Sequence, residues 1–347
     1  MNPLLIGGSG VAIASMTCYT GPMQNKRLLR IPLESGLIDK MDELIRQGAG
    51  GLKSREQFVH EALDAMVLEL RFDGNSEEPS STFEVIERTE PGALGKTALP
   101  SPERPAKFLQ PSDERPSEPL FGLHNRDYPS LWAAGRLCDL AGEGPVSFEP
   151  TLKELVSEAW DVGARMKVLD ETVSGKPSAL FPTNSDKRQA AEDAFLGFAV
   201  GSLRKEGGRI EARGPLFEWG VLALDTSGDE PRLGLTEAGY DLLRSMAGLT
   251  VSQPHPEEYA SAFLGFLKAH AQADWEAFAL LIRAIAEKPT RSELAQTFGS
   301  NYPTWKKSEA ETNSAGYVAR SREWGLVSSG QIEGRYSLTE FGEEFAA

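Results

Sequence analysis

The sequence predicts a mainly α-helical chain with short β-strands, in three parts: an N-terminal strand–helix–helix module, a disordered proline-rich linker and a C-terminal α+β body. Three observations carry this. Residues 26–70 pass from alternating to helical apolar spacing. Residues 73–119 hold eight prolines among Ser, Glu and Gly and keep no period. A Trp-Gly pattern followed by Leu-Thr-Glu occurs twice after residue 200.

In the first part, Leu28–Leu33 is extended, because Pro32 bars an early helix. Leu29, Ile31 and Leu33 alternate onto one face, with Lys26, Leu28 and Arg30 on the other. Ser35 is a good N-cap for a helix with Leu37, Ile38, Met41, Leu44 and Ile45 as its apolar stripe. Gly48, Gly50 and Gly51 stop it. Ser54 starts a second helix, with Gln57 placed as in a capping box. Phe58, Val59, Ala62, Leu63, Met66, Val67 and Leu70 cover nearly half of that helix, more apolar surface than so short a monomer hides.

This order resembles a ribbon-helix-helix DNA-binding module of the Arc/MetJ type. The resemblance covers about an eighth of the chain. It implies a homodimer with strands paired between chains, and a double-stranded DNA partner whose major groove takes the ribbon. Residue by residue it makes Lys26, Leu28 and Arg30 the base-facing trio. Lys53, Ser54 and Arg55 become a phosphate clamp at the start of the second helix. Leu28 departs from the family, where a polar residue is more usual; a thymine methyl would suit it. A register slip of one would expose Leu29 and Ile31.

The chain has 347 residues, 40% hydrophobic and 25% charged, enough for two or three domains. The expected boundaries are a disordered tail (1–25), the module (26–72), the linker (73–119), a helical, degenerate winged-helix-like domain (120–250) and a second winged-helix-like domain (251–347). The first 23 residues carry no charge and meet neither the signal-peptide nor the membrane-span pattern; Met16 and Met23 are alternative starts. No membrane partner is expected. Cys18 and Cys138 form no disulfide framework or metal pattern, which suits a reducing cytoplasm. Net charge is −15, unevenly spread: zero over 24–72, −5 over 73–119, −7 over 120–273 and −3 over 274–347. An acidic body lowers non-specific DNA binding and leaves the basic ribbon edge to decide contact.

Within the linker, residues 92–97 (GALGKT) resemble a phosphate-binding loop, but Glu90 stands where the pattern needs glycine. No nucleotide or other cofactor is expected. Residues 121–132 (FGLHNRDYPSLW) read either as an acid–base pair of His124 and Asp127 or as a polar turn pinned by aromatics. The turn is preferred, since no second catalytic cluster accompanies it. Helix-compatible runs follow at 130–140, 152–168 and 187–204.

The two repeats are Trp219-Gly220-Val221 with Leu235-Thr236-Glu237, and Trp324-Gly325-Leu326 with Leu338-Thr339-Glu340. Each gap reads as strand, glycine turn and strand, closed by a Thr-capped helix. This is similar to the wing and last helix of a winged helix-turn-helix domain, twice. The second copy has helices expected at 275–287, 291–298 and 308–324; the first lacks an obvious second helix. The resemblance implies that the third helix reads DNA, with Lys306, Lys307, Thr312, Asn313 and Arg320 facing it and Arg335 on the wing. Glu309 and Glu311 depart from that role. Only four histidines occur, none at metal-ligand spacing, and no nucleophile motif is present. The expectation is a non-enzymatic, sequence-specific, prokaryotic transcriptional regulator, with a homodimer or higher oligomer and a protein partner for the C-terminal region. Its rivals are a DNA-binding component of plasmid maintenance or phage defence, and a winged-helix assembly scaffold that binds no DNA.

Overall fold

A computed structural model describes residues 11–20, 25–34, 97–112, 118–120, 124–170, 176–206 and 209–346. It divides into two compact units, 1–86 and 87–347. In the first, β1 (Val11–Thr20) and β2 (Asn25–Glu34) pair antiparallel within the chain, Val11 opposite Glu34 and Thr20 opposite Asn25. The expected extended segment 28–33 lies in β2, while β1 falls where a disordered tail was expected. The two helices expected over 35–70 lie outside the described residues.

The second unit is mainly helical with a few short strands. No helix among the described residues is long and apolar enough to cross a membrane. The unit is built from two similar halves. The first runs α1 (Tyr128–Leu140), β3 (Val146–Ser147), α2 (Phe148–Met166), α3 (Arg188–Ala199), a hairpin β4 (Ser202–Glu206) and β5 (Arg209–Arg213), then α4 (Pro215–Glu218), β6 (Leu222–Asp225), β7 (Arg232–Leu235) and α5 (Glu237–Ser245). Helix α6 (Glu257–His270) leads to the second half: α7 (Gln272–Ala286), α8 (Arg291–Asn301), α9 (Lys307–Glu323) and α10 (Glu340–Ala346). Strand β3 pairs with β7, and β7 with β6. In the second half, single bridges do the same work: Thr290 with Arg335, and Val327 with Leu338.

The halves match bond for bond. Gly220 and Gly325 turn at φ +72° and +71°, a region that favours glycine. Val221 N–H donates to Leu216 O at 2.9 Å, and Leu326 N–H to Ser321 O at 2.8 Å. Thr236 N–H donates to Val221 O, and Thr339 N–H to Leu326 O. The Thr236 hydroxyl bonds Gly220 O and accepts from Gly239 N–H; that of Thr339 bonds Gly325 O and accepts from Gly342 N–H. A Cβ on Gly239 would meet Val221 O at 2.3 Å, and one on Gly342 would meet Leu326 O at 2.0 Å. Each closing helix therefore needs glycine to lie on the turn that follows its Trp-Gly.

Three expectations are corrected. The first half does not lack its second helix; α2 supplies it, preceded by β3 as Thr290 precedes α8. The run 187–204 is not one helix: α3 stops at Ala199, where Gly201 takes φ +131°, and β4 begins at Ser202. The linker does not reach residue 119. Leu99 is buried and exchanges backbone bonds with Leu249 and Gly248, Ala106 N–H donates to Gly142 O, and Leu109 N–H to Leu235 O. Pro102 and Pro105 are buried too. Proline forbids helix and removes a donor, but it leaves an extended chain free to dock through its neighbours' N–H groups. Residues 73–96 lie outside the described residues.

Candidate nucleic-acid interface

Of the residues expected at DNA, Lys26, Leu28 and Arg30 occupy alternate positions of β2, opposite Tyr19, Thr17 and Ser15 of β1. Lys53, Ser54 and Arg55 lie outside the described residues.

In the second half, exposed Lys306 and Lys307 sit together at the start of α9. Acidic side chains stand beside both, one capping the backbone and one pairing with a lysine ammonium. Lys306 N–H donates to Glu309 Oε2 at 2.6 Å, and Lys307 Nζ lies 3.8 Å from Glu311 Oε1. Thr312 turns its hydroxyl onto Ser308 O at 2.8 Å. Arg335 is half exposed and donates to Lys288 O at 2.9 Å and Glu293 Oε2 at 3.3 Å. Glu293, held by the Thr290 capping box and Arg335, has its carboxyl pKa lowered.

Asn313 and Arg320 are corrections. Both are buried, Arg320 completely at 0% exposure. Helix α9 buries Ala310, Asn313, Ser314, Gly316, Tyr317, Val318, Arg320, Ser321 and Glu323, so more than one face is inside and polar side chains fill much of it. The sequence reading placed polar residues outward; here many of them point inward, with Arg320 and Glu323 bonded and the Ser321 hydroxyl left without a partner among the described residues.

Arg320 is the centre of a buried network. Its Nε donates to Asp127 Oδ1 at 2.8 Å; Nη1 and Nη2 donate to the two oxygens of Asp274 at 2.8 and 2.7 Å. Trp324 Nε1 donates to Asp127 Oδ2 at 2.6 Å, and Trp219 Nε1 to Asp274 Oδ2 at 2.9 Å. Tyr317 donates its hydroxyl to Asp274 Oδ1. His124 Nε2 meets Asp127 Oδ1 at 2.8 Å while Nδ1 meets Phe198 O at 2.7 Å. Glu323 accepts the N–H groups of Asp127 and Tyr128 at 2.6 and 3.0 Å, capping α1 from the other half. Phe263 lies between the two indoles, with ring centroids 5.3 Å from Trp219 and 4.5 Å from Trp324.

The bonding is crossed. Asp127 begins the first half and holds the tryptophan of the second; Asp274 begins α7 and holds the tryptophan of the first. Burial acts to raise the Asp127 pKa, but Arg320, His124 and Trp324 outweigh it and hold the carboxyl below its ordinary value. Burial likewise acts against the Arg320 cation, and the two aspartates outweigh it, so the guanidinium stays charged. Burial and Asp274 push the Tyr317 phenol well up. The arrangement joins two halves; it leaves no oxygen of either aspartate free to act on a substrate. His124 and Asp127 do meet, as an acid–base pair would, but inside this network.

No protein family, curated protein or solved structure matches the chain. Among the described residues, no group of three or more His, Cys, Asp or Glu is placed to hold a metal ion.

Sequence reasoning missed the β4–β5 hairpin. Its signals were present: Gly201 falls inside the run read as helical to residue 204, and Gly207, Gly208 and Gly214 punctuate the residues that follow.

Proposed function

We propose that the protein is a dimeric, sequence-specific, cytoplasmic DNA-binding protein, a prokaryotic transcriptional regulator, whose N-terminal module grips the operator. The observation that carries this is the pattern of residues 26–70. Lys26 and Arg30 flank Leu28 at alternate positions of one strand, and the apolar spacing of 35–70 is that expected of two capped amphipathic helices, the second opening on Lys53-Ser54-Arg55. Within the chain that strand, β2, pairs with β1 along one edge; the proposed dimer pairs its other edge with the β2 of a second copy. Service in a plasmid-maintenance or phage-defence system uses the same contact.

The second unit reads as a pair of winged-helix-like halves. Three helices, paired strand segments and a closing helix recur in order, which supports that reading. A specific observation favours assembly over base reading for this unit. Arg320 and Asn313, the reading-helix candidates, are buried, and Glu309 and Glu311 crowd the lysines that remain. The unit then serves as an oligomerisation or partner-binding body.

The experiment is selection of bound fragments from the source genome by the full chain, then titration of the selected duplex against Arg30→Ala. A base-reading arginine contributes about 1–3 kcal/mol of discrimination, so affinity falls and sequence preference relaxes. A correctly folded variant with unchanged affinity and preference removes Arg30 from the interface. A full chain that selects no duplex leaves the assembly scaffold as the function.

A further inference from the structure

The β4–β5 hairpin interrupts a helix. Helix α3 ends at Ala199; Val200 and Gly201 N–H both donate to Leu196 O at 3.0 and 2.8 Å. After the twelve residues 202–213 and Gly214 the helix resumes as α4 at Pro215, with Leu216 N–H donating to Val200 O at 3.2 Å across the gap. In the second half the corresponding helix, α9, runs unbroken into Trp324-Gly325. The excursion leaves and returns at one point. A Cβ on Gly214 would meet Gly201 Cα at 2.3 Å, and one on Gly201 would meet Arg213 O at 2.2 Å. Both glycines have positive φ, +131° and +122°, so the neck requires them twice over.

The hairpin differs in charge from what surrounds it. Residues 202–213 carry Arg204, Lys205, Arg209 and Arg213 against Glu206 and Glu211, net +2, within a 120–273 segment of net −7. The register puts Ser202 opposite Arg213, Arg204 opposite Glu211, and Leu203 opposite Ala212. Opposed residues share a face. Leu203 is half buried and packs on the core, so the face of Leu203 and Ala212 is turned to the body. The other face carries exposed Arg204 and Arg213, with Arg213 Nη2 donating to Glu211 Oε2 at 3.1 Å. Lys205 is exposed too, but it lies opposite Ile210 on the Leu203 face. A two-stranded ribbon with arginines on its outer face, joined to the body by a glycine neck, matches the width of a DNA groove and the charge of its walls.

We propose that the β4–β5 hairpin is a second DNA contact, an arm that sets Arg204 and Arg213 of its outer face against backbone phosphates beside the operator. This rests on the DNA-binding reading above. Phosphate contacts add affinity without sequence information, so the arm tightens binding and does not choose the site.

The test is Arg204→Ala/Arg213→Ala in the full chain, titrated with the selected duplex from about 50 to 200 mM salt. Each lost phosphate contact reduces the slope of log affinity against log salt by about 0.9. The variant should lose close to two units of slope and bind several-fold more weakly at 100 mM salt, with sequence preference and melting temperature unchanged. An unchanged slope, in a variant that still selects the duplex, overturns the arm alone. Loss of self-association with the slope intact also overturns it and assigns the hairpin to a protein contact. A parent chain that binds no duplex overturns the DNA reading itself, and the arm with it.

Discussion

Arg320→Met isolates the charge at the centre of the second unit. Methionine fills much of the same volume and removes the one cation, among the described residues, that bonds both Asp127 and Asp274. The neutral donors stay: Trp324 on Asp127, Trp219 and Tyr317 on Asp274. What is lost is compensation for two carboxylates at 0% and 4% exposure. Breaking a buried ion pair by deleting one partner costs about 3–5 kcal/mol. In a unit of this size each kcal/mol moves the melting temperature by about 2–4 °C, so the fall is on the order of 10 °C. Adding Asp274→Asn removes one stranded charge and should recover part of the loss, a coupling a double-mutant cycle reads directly. Calorimetry at pH 7 with urea melts as a second measure is the assay. A loss below about 1 kcal/mol, or a loss of DNA affinity at unchanged stability, refutes the reasoning and returns Arg320 to the surface.

Three further outcomes follow from the same geometry. Burial raises the Glu218 pKa, with Asp274 adding to it against Gly214 N–H, Arg213 and His124. Its ionised form therefore costs stability above the folded pKa, a cost that fades as pH falls toward the ordinary value; Glu218→Gln should melt higher than the parent at pH 7, by a margin that closes toward pH 4.5. Asp127 has the opposite sign: its contribution is present above the unfolded carboxylate value of about 3.9 and is lost as pH falls through the depressed folded value, so acid melts of Asp127→Asn should show a shallower loss below pH 4. Gly239→Ala and Gly342→Ala should each cost at least about 1–3 kcal/mol in urea melts, because the added methyl meets a backbone carbonyl that cannot step aside; a neutral result at either would break the equivalence of the two turns.

Much of the second unit was legible. The Trp-Gly and Leu-Thr-Glu spacing located both turns, and the Thr caps at 236 and 339 follow from the preference of that residue for helix starts. Pro289 and Thr290 marked the break between α7 and α8. What escaped was long range. Nothing local says that Asp127 bonds Trp324, and a polar residue on a helix looks solvated until its partners are known, as with Asn313 and Arg320. Proline content hid the docking of residues 97–112, since composition reports what a segment cannot form and is silent on what it can lie against. The interrupted helix escaped because a sequence window reads neighbours in the chain, while α3 resumes only after twelve residues have gone out and come back.

The crossed aspartates also set the order in which this chain can finish folding as it is made. Asp127 waits for Arg320, 193 residues later. At about 5–20 residues per second of synthesis that is roughly 10–40 s. Through that interval Asp127 has His124 beside it but not the Arg320 guanidinium, and α1 lacks its Glu323 cap. The first half can collapse, but it cannot lock until nearly the last helix has emerged, and a nascent chain released early is left without that guanidinium.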